Sequence, residues 1–473
     1  MDFYRSNGLR HPTEQLDASE AALAARLGVA EAPYMPPAER FYHSNYIGDG
    51  CVAADHRTSY GYFASARKQL LSFRATQRPD GMVPGVSHPP DVKWKHKFTV
   101  NPERWLSTAP FEGNDYTQTP LWAQSVLRLH DAAHHRYPAP KEQINPDQFL
   151  DEIYPSLNSF YTYFADKRQV ASDDPRAFLL HPNEANRDSA PENDKWKEQE
   201  LERRLGKAAV LLQRKPRTSE SMPDWFNKYN ITADYLGTIA INLAGFKAGW
   251  EPERVRESTG EFIDVWFNCH LYEGYAAMSE LALRVKKYED ADRFASLAEN
   301  LELAILKKHY FDNARGGSGG FYSVYNGQPM SFDTIGNLMT LLLPNLRAKQ
   351  LRSNLVMMRQ GFNTPYPLPS VSTLETAVYD PHYQEVNRHW RGPKWTVADN
   401  MVMRGLDKQL DHENMQEVLR NACWEWFHKI HNGNLGAVGV SGYFGEHYNP
   451  ISGKAQRVSK TKGHVFGIPM RIT

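Results

Sequence analysis

Two acidic side chains in separate polar and aromatic segments are the first candidates for chemistry in this chain. Asp188 lies in HPNEANRDSAP (181–191), and Glu446 lies in GYFGEHYNPISG (442–453). Hydrolysis of a glycosidic bond needs one protonated carboxyl group that donates to the leaving oxygen and one ionised carboxylate that activates water. Burial among apolar groups raises a carboxyl pKa, whereas hydrogen bonds and water keep it low. The segments 181–191 and 442–453 could place Asp188 and Glu446 on opposite sides of one pocket. The aromatic residues beside Glu446 could then form a surface on which a sugar ring stacks.

Each of these side chains also has a simpler interpretation. An Asp shortly before Ser and Pro suits a turn or the N-cap of a helix, and Glu446 suits an ordinary surface carboxylate in a polar loop. Glu184 fits a loop-orienting or sugar-binding role better than proton transfer. A nearby guanidinium would lower the pKa of a general acid, so Arg187 should point away from Asp188 or bind an anionic part of the substrate. Of these alternatives we expect a solvated Arg187.

Two further segments have the composition of pocket loops. HWRGPKW (389–395) places two Trp around an Arg-Gly-Pro turn, and RPDGMVPG (78–85) is followed downstream by YTQTP (116–120). Trp390 and Trp395 suit packing as well as a sugar platform, and of the two we expect Trp390 to line the pocket. We expect Arg391 to hold a carboxylate or to contact the substrate.

Composition and motifs argue against several other functions. Lys plus Arg and Asp plus Glu number 55 each, so the chain lacks the positive excess that nucleic acid or an anionic membrane selects for. It contains no HExxH, GxGxxG or P-loop, so no metal or nucleotide cofactor is predicted. Three cysteines without paired spacing and no signal peptide predict a cytoplasmic protein. A small carbohydrate is the expected partner, and self-association is left open.

The periodicity of the apolar residues is helical. They recur every three or four residues in about a dozen segments, among them 63–73, 122–129, 149–164, 236–246, 294–305 and 415–422. The long connections, rich in Gly, Pro and aromatic residues, are 31–50, 78–116, 178–230, 312–333, 361–395 and 432–463. This alternation predicts an all-α ring of helical hairpins with its long loops at one mouth. We expect one domain over 1–473, with an insertion or cap at about 178–230.

The segment around Asp188 resembles the general-acid motif of glycoside hydrolase family 63, and within it of the short enzymes that split mannosylglycerate or glucosylglycerate. The family pattern is His-Pro-x-Glu-x-x-x-Asp-Asn-Ser-Pro. The matching positions are His181, Pro182, Glu184, Asp188 and Pro191. Ser189 and Ala190 stand where the family has Asn-Ser.

Four more family motifs recur in the family's order. Trp-Arg-Gly-Pro-x-Trp matches 390–395, and the general-base motif Glu-x-Tyr-x-Pro-x-Thr-Gly matches 446–453, with Ser452 in place of Thr. Asn-Gly-Met-Ile-Pro resembles 80–84, and Thr-Gln-Pro-Pro resembles 117–120. Five motifs in order are not expected by chance.

The resemblance implies an (α/α)6 barrel, a toroid of helices with capping loops, and an inverting reaction. It makes Asp188 the general acid and Glu446 the general base, with their carboxyl groups roughly 6.5–9.5 Å apart to admit a water. Asp49 and Gln118 are predicted to bind the substrate from the resemblance alone. The other predicted substrate-binding residues are Tyr46, Glu184, Trp390, Arg391 and Tyr448.

Two segments depart from the family pattern. One lies near the C-terminus, where Gly463-His464-Val465-Phe466 stands in place of Ser-Trp-Ser/Thr-Ala, and the other lies near the N-terminus. Where the family has Trp-x-Trp-Asp, this chain has Tyr46-Ile47-Gly48-Asp49, which keeps the Asp and lacks both Trp. Those Trp shape the pocket for the sugar ring, so we expect an altered glycone site. The predicted substrate is a small α-glucoside or α-mannoside, either a disaccharide or a glycosyl-acid. A sugar epimerase on the same barrel and a non-catalytic sugar-binding protein are the alternatives.

Overall fold

A computed structural model describes residues 12–27, 32, 34–35, 44–87, 113–187, 189–207, 233–382, 390–412, 415–441 and 443–456. Its α-helices are α1 Pro12–Leu27, α2 Ile47–Ser59, α3 Phe63–Ser72, α4 Trp122–His135, α5 Pro146–Lys167, α6 Asp194–Leu205, α7 Ala233–Lys247, α8 Pro252–Thr259, α9 Val265–Arg284, α10 Tyr288–Lys308, α11 Ala348–Gly361, α12 Thr396–Leu410 and α13 Glu417–Ser441. A 3-10 helix spans Ile335–Leu342.

The strands are two to four residues long and pair only with antiparallel neighbours. The pairs are β1 Asn45–Tyr46 with β2 Val86–Ser87, β3 Gln169–Ala171 with β4 Asp174–Ala177, β5 Phe262–Ile263 with β8 Val324–Tyr325, β6 Tyr310–Phe311 with β7 Gly320–Phe321, β8 with β9 Gln328–Pro329, and β10 His447–Tyr448 with β11 Ala455–Gln456. These short ribbons brace the long loops and form no layer of their own.

The helices form an inner and an outer layer. The inner segments in the described part of the chain are α2, α4, α9, the 3-10 helix and α12, and neighbours in this order contact one another. All residues of the 3-10 helix are buried, whereas the outer helix α10 buries only one stripe at helical spacing, such as Phe294, Leu301 and Ile305. The all-α ring of hairpins is confirmed, and it is the arrangement of an (α/α)6 barrel.

The N-terminal ends of the inner helices meet at one end of the ring, which we call the mouth. Gly48 of α2, Leu121 before α4, Trp266 of α9 and Val397 of α12 line one narrow cavity there. The apolar side chains between the two layers belong to one hydrophobic cluster that extends from α2 to α13. None of the described helices is long and apolar enough to cross a bilayer.

Helices extend into several of the predicted connections. Residues 432–441 continue α13 despite three glycines, because Ala437 and Val438 are fully buried and their packing outweighs the low helix propensity of Gly. Within the predicted cap, α6 packs against α7 through Leu201 and Ala240. The remainder of that segment, 208–230, lies outside the described residues.

Candidate active site

Hydrogen bonds join the predicted motif segments to one another around the mouth. The Ile47 N–H donates to the Gly85 carbonyl oxygen (3.1 Å), which ties the start of α2 to the 78–85 segment. The Thr117 N–H donates to Oε1 of Glu184 (3.2 Å), which ties the 116–120 segment to the 181–191 segment.

The connection continues to the segment that carries Glu446. The Trp390 N–H donates to Oγ of Ser189 (3.1 Å). Lys394 and Tyr448 then exchange both backbone hydrogen bonds, at 2.8 and 2.9 Å. Segments that are widely separated in sequence therefore form one frame around the mouth.

Glu446 and Asp49 are buried neighbours in this frame. Glu446 is 9% exposed and Asp49, in the first turn of α2, is 8% exposed. Burial raises the pKa of Asp49 to about 8, and the charge of Glu446 adds to the rise. At neutral pH, Asp49 therefore keeps its proton while it lies within electrostatic reach of Glu446.

Asp188 lies outside the described residues, so the distance between its carboxyl group and that of Glu446 is not described either. The residues on either side of it, Arg187 and Ser189, are each 1% exposed. Ser189 is held by the Trp390 N–H described above, so the chain enters and leaves position 188 through buried, hydrogen-bonded neighbours.

The prediction of a solvated Arg187 is wrong. Its guanidinium donates to Oδ2 of Asp264 (2.8 Å) and to Glu192, and lies 5.1 Å from the centre of the Trp266 ring. Asp264 is the N-cap of α9, where its Oδ1 accepts the Phe267 N–H at 2.7 Å. Two buried carboxylates compensate the charge of Arg187, which makes its burial beside the 188 position tolerable.

Glu184 is the most fully paired carboxylate of the site. It is 0% exposed and accepts two hydrogen bonds from Arg168 (3.0 and 2.7 Å). The backbone N–H groups of Leu180 (2.6 Å) and Thr117 (3.2 Å) donate to it as well. These contacts correspond to the loop-orienting role, one of the two that the sequence suggested.

The two aromatic residues of the 389–395 segment stack on each other. The ring centres of Trp390 and Trp395 are 4.2 Å apart with planes 3° apart, and Trp390 meets Trp266 edge-on at 6.0 Å. Trp390 also lines the cavity at the mouth. Arg391 holds a carboxylate of the protein itself, that of Asp194 at the start of α6, and is 3% exposed.

The other residues predicted to bind the substrate are Gln118 and Tyr46, near the start of α2, and Tyr448, near Glu446. Oε1 of Gln118 accepts the Gly48 N–H at 3.2 Å, beside Asp49. Tyr46, half-buried in β1, directly precedes α2. Tyr448 is fully buried in β10, and its hydroxyl accepts the Gly445 N–H at 2.9 Å. Tyr448 thus holds the turn that presents Glu446, and direct substrate contact by these residues stays a prediction.

One buried ion pair was missed from the sequence. Lys394 and Asp399 are both 0% exposed and paired with each other, and Nζ of Lys394 also donates to the Pro367 carbonyl oxygen at 2.7 Å. Burial raises the pKa of Asp399 to about 7. Lys394 lies in the Trp-Arg-Gly-Pro-x-Trp motif at the position where the pattern is unspecified, so the motif gave no signal for it.

The comparisons with known proteins agree with this architecture. Residues 63–466 match the family model described as the mannosylglycerate hydrolase MGH1-like glycoside hydrolase domain. A GH63 mannosylglycerate hydrolase from Thermus thermophilus in complex with Tris is similar in structure, with a TM-score of 0.70 and 19% identity over 96% of this chain and 97% of that one. The same enzyme in complex with glucose gives a TM-score of 0.69 and 19% identity over 98% and 97%.

A neutral trehalase from Saccharomyces cerevisiae is similar at a TM-score of 0.56 and 12% identity, over 92% of this chain and 71% of that one. No curated protein sequence matches the chain. At these identities the solved structures support the fold, and the family model supports the family.

Proposed function

The chain belongs to the mannosylglycerate hydrolase MGH1-like glycoside hydrolase family, and on that premise we propose that it hydrolyses a small α-glycoside with inversion at the anomeric carbon. Membership makes the chain a glycosidase for small glycosides, so neither the epimerase nor the non-catalytic alternative is retained. The proposed substrates are an α-glucoside or an α-mannoside, as a disaccharide or a glycosyl-acid. The mannosylglycerate hydrolase from Thermus thermophilus makes a glycosyl-glycerate the first to test.

We propose Asp188 as the general acid and Glu446 as the general base. The observation that carries this assignment is the frame of hydrogen bonds, because it ties Ser189 to Trp390 and Lys394 to Tyr448. Ser189, next to Asp188, and Tyr448, two positions after Glu446, are thus both held by one short segment, 390–394. Asp188 would protonate the glycosidic oxygen, and Glu446 would take a proton from the attacking water.

The state of Asp49 supports the role of Glu446. Burial and the charge of Glu446 both raise the pKa of Asp49, because like charges disfavour a second ionisation. A general base must be ionised, and a neutral Asp49 places no second negative charge beside Glu446. A protonated Asp49 can in turn donate a hydrogen bond to a sugar hydroxyl, as we propose for this residue.

The test is proton NMR of the purified protein with mannosylglycerate, glucosylglycerate, kojibiose, nigerose and trehalose. Initial release of the β-anomer from an α-linked compound is the expected result, and it would identify the glycone. Initial release of the α-anomer would contradict inversion. A Glu446→Gln preparation is the control for contaminating glycosidases.

A further inference from the structure

Gly48 and Asn186 approach each other closely beside Asp49. A Cβ atom added to Gly48 would lie 2.0 Å from Nδ2 of Asn186 and 3.1 Å from its Cγ. Because real Cβ atoms do not come within 3.0 Å of another heavy atom, position 48 accepts only glycine while Asn186 keeps this conformation. Gly48 stands where the related motif has its second Trp, so the carboxamide lies where that side chain would begin.

The backbone fixes the position of Asn186. The residue follows the 3-10 turn Pro182–Ala185 in the left-handed conformation, with φ 54° and ψ 22°, and its N–H donates to the Asn183 carbonyl oxygen at 3.1 Å. Asn adopts this conformation more readily than most residues. The side chain is therefore aimed by the turn and by the buried Arg187 that follows.

The oxygen of the Asn186 carboxamide is buried. Within the described part of the chain, this Oδ1 has no hydrogen-bond partner. A buried amide oxygen is unfavourable unless a ligand or water satisfies it. The residue lines the cavity at the mouth together with Gly48, Trp266 and Trp390.

A second carboxamide lies on the other side of Gly48. Oε1 of Gln118 accepts the Gly48 N–H (3.2 Å), which leaves its Nε2 as a donor. A carboxamide offers both donors and acceptors, and a sugar hydroxyl is also both. The carboxamides of Asn186 and Gln118 beside Asp49 are therefore suited to hydrogen-bond the hydroxyl groups of a sugar.

We propose that the Asn186 carboxamide determines glycone specificity by binding a hydroxyl of the α-hexopyranoside, and that Gly48 is required to make room for it. The inference rests on the proposed function, since it takes the mouth as the sugar site. It predicts that positions 48 and 186 act as one unit in substrate selection.

The experiment compares Asn186→Ala, Gly48→Ala and their combination with wild type. The matched control is Asn183→Ala, in the same turn, whose Nδ2 lies 3.5 Å from the Tyr116 hydroxyl. The readouts are kcat/KM for 4-nitrophenyl α-D-glucopyranoside and α-D-mannopyranoside, the Kd of D-glucose and D-mannose by calorimetry, and Tm.

Asn186→Ala is expected to lower kcat/KM and weaken binding for the preferred sugar by about 3- to 10-fold, the loss of one hydrogen bond, and to change the glucose-to-mannose ratio. Gly48→Ala should have a similar effect by displacing the carboxamide. The double variant should be no worse than Asn186→Ala alone, because both changes remove the same contact. Asn183→Ala should leave every value within twofold of wild type.

The proposal is overturned if Asn186→Ala stays within twofold of wild type for both sugars, or if Asn183→Ala causes the same change. If the wild-type protein hydrolyses the glycosides and Asn186→Ala does so equally well, this inference is refuted and the proposed function is not. Binding of either sugar without hydrolysis of the nitrophenyl glycosides or of any compound in the NMR panel refutes the proposed function, and the Kd values then decide the role of Asn186. Neither binding of these sugars nor hydrolysis of any of these compounds refutes both.

Discussion

Glu184 and Asp49 are both buried carboxyl groups at the mouth, but the protein surrounds them differently. Glu184 receives four hydrogen bonds, two from Arg168 and two from backbone N–H groups. Asp49 has no cation among the causes of its pKa shift, and the charge of Glu446 pushes that pKa higher. One carboxylate is saturated by the protein, and the other lies where a ligand can complete its surroundings.

The comparison distinguishes two parts of the site. Around Glu184 and Arg187, buried charges compensate one another and hold the 181–191 segment in place. Around Asp49, Asn186 and Glu446, polar groups are held at the mouth beside a cavity. We expect substitutions in the first part to cost mainly stability and those in the second to cost mainly catalysis.

The largest expected effect is on catalysis, at Glu446. Glu446→Gln should lower kcat/KM by about 10³-fold or more, since general acid–base groups contribute about 10² to 10⁴ in rate. Asp188→Asn should have a comparable effect. Both variants should keep the wild-type Tm, measured by circular dichroism. A near-normal rate in either variant would remove that residue from the mechanism.

The next largest effect is on stability, at Glu184. Glu184→Gln leaves Arg168 as a buried cation without a counter-charge, which should lower the free energy of unfolding by about 3–5 kcal/mol. Guanidinium denaturation measures this. The control is Glu152→Gln, because Glu152 is 37% exposed and pairs with Arg67 and Arg74 at the surface, where pairs contribute about 0–1 kcal/mol. Equal effects of the two variants would contradict the distinction.

Arg187→Lys should have an intermediate effect. A lysine cannot bond Asp264 and Glu192 in the same planar geometry, so one buried acceptor loses its partner, at about 1–3 kcal/mol. The same denaturation series measures it, with Arg203→Lys as control, since Arg203 is 48% exposed. Unchanged stability would show that Lys replaces both contacts.

A further effect concerns the pH dependence of stability, at Asp49. The folded protein holds this proton up to about pH 8, whereas the unfolded chain loses it near the ordinary value of 3.8. Stability from this group is complete below the unfolded pKa and is lost as pH rises through the folded pKa. Asp49→Asn should therefore make the decline in Tm between pH 5 and 9 less steep. A slope identical to wild type would contradict a raised pKa.

The motifs located most of the frame from sequence alone, because each motif is a contiguous loop that keeps its spacing. The motifs do not include the residues from distant parts of the sequence that hydrogen-bond to them in the folded protein. Arg168 has no motif of its own, and its importance comes from meeting Glu184. Arg187 was misread because only its sequence neighbour Asp188 was considered, while Asp264, 77 positions away, neutralises it. The contact of Gly48 with Asn186 is equally invisible to periodicity.

The 3.1 Å hydrogen bond from Trp390 to Ser189 spans 201 positions of sequence. Contacts of such separation form late, because loop closure costs entropy before any contact repays it. Individual helical hairpins can form early from local contacts, but the mouth has its shape only once the ring has closed. A refolding chain should therefore regain helical circular dichroism before it regains activity, and turnover would report the completed barrel.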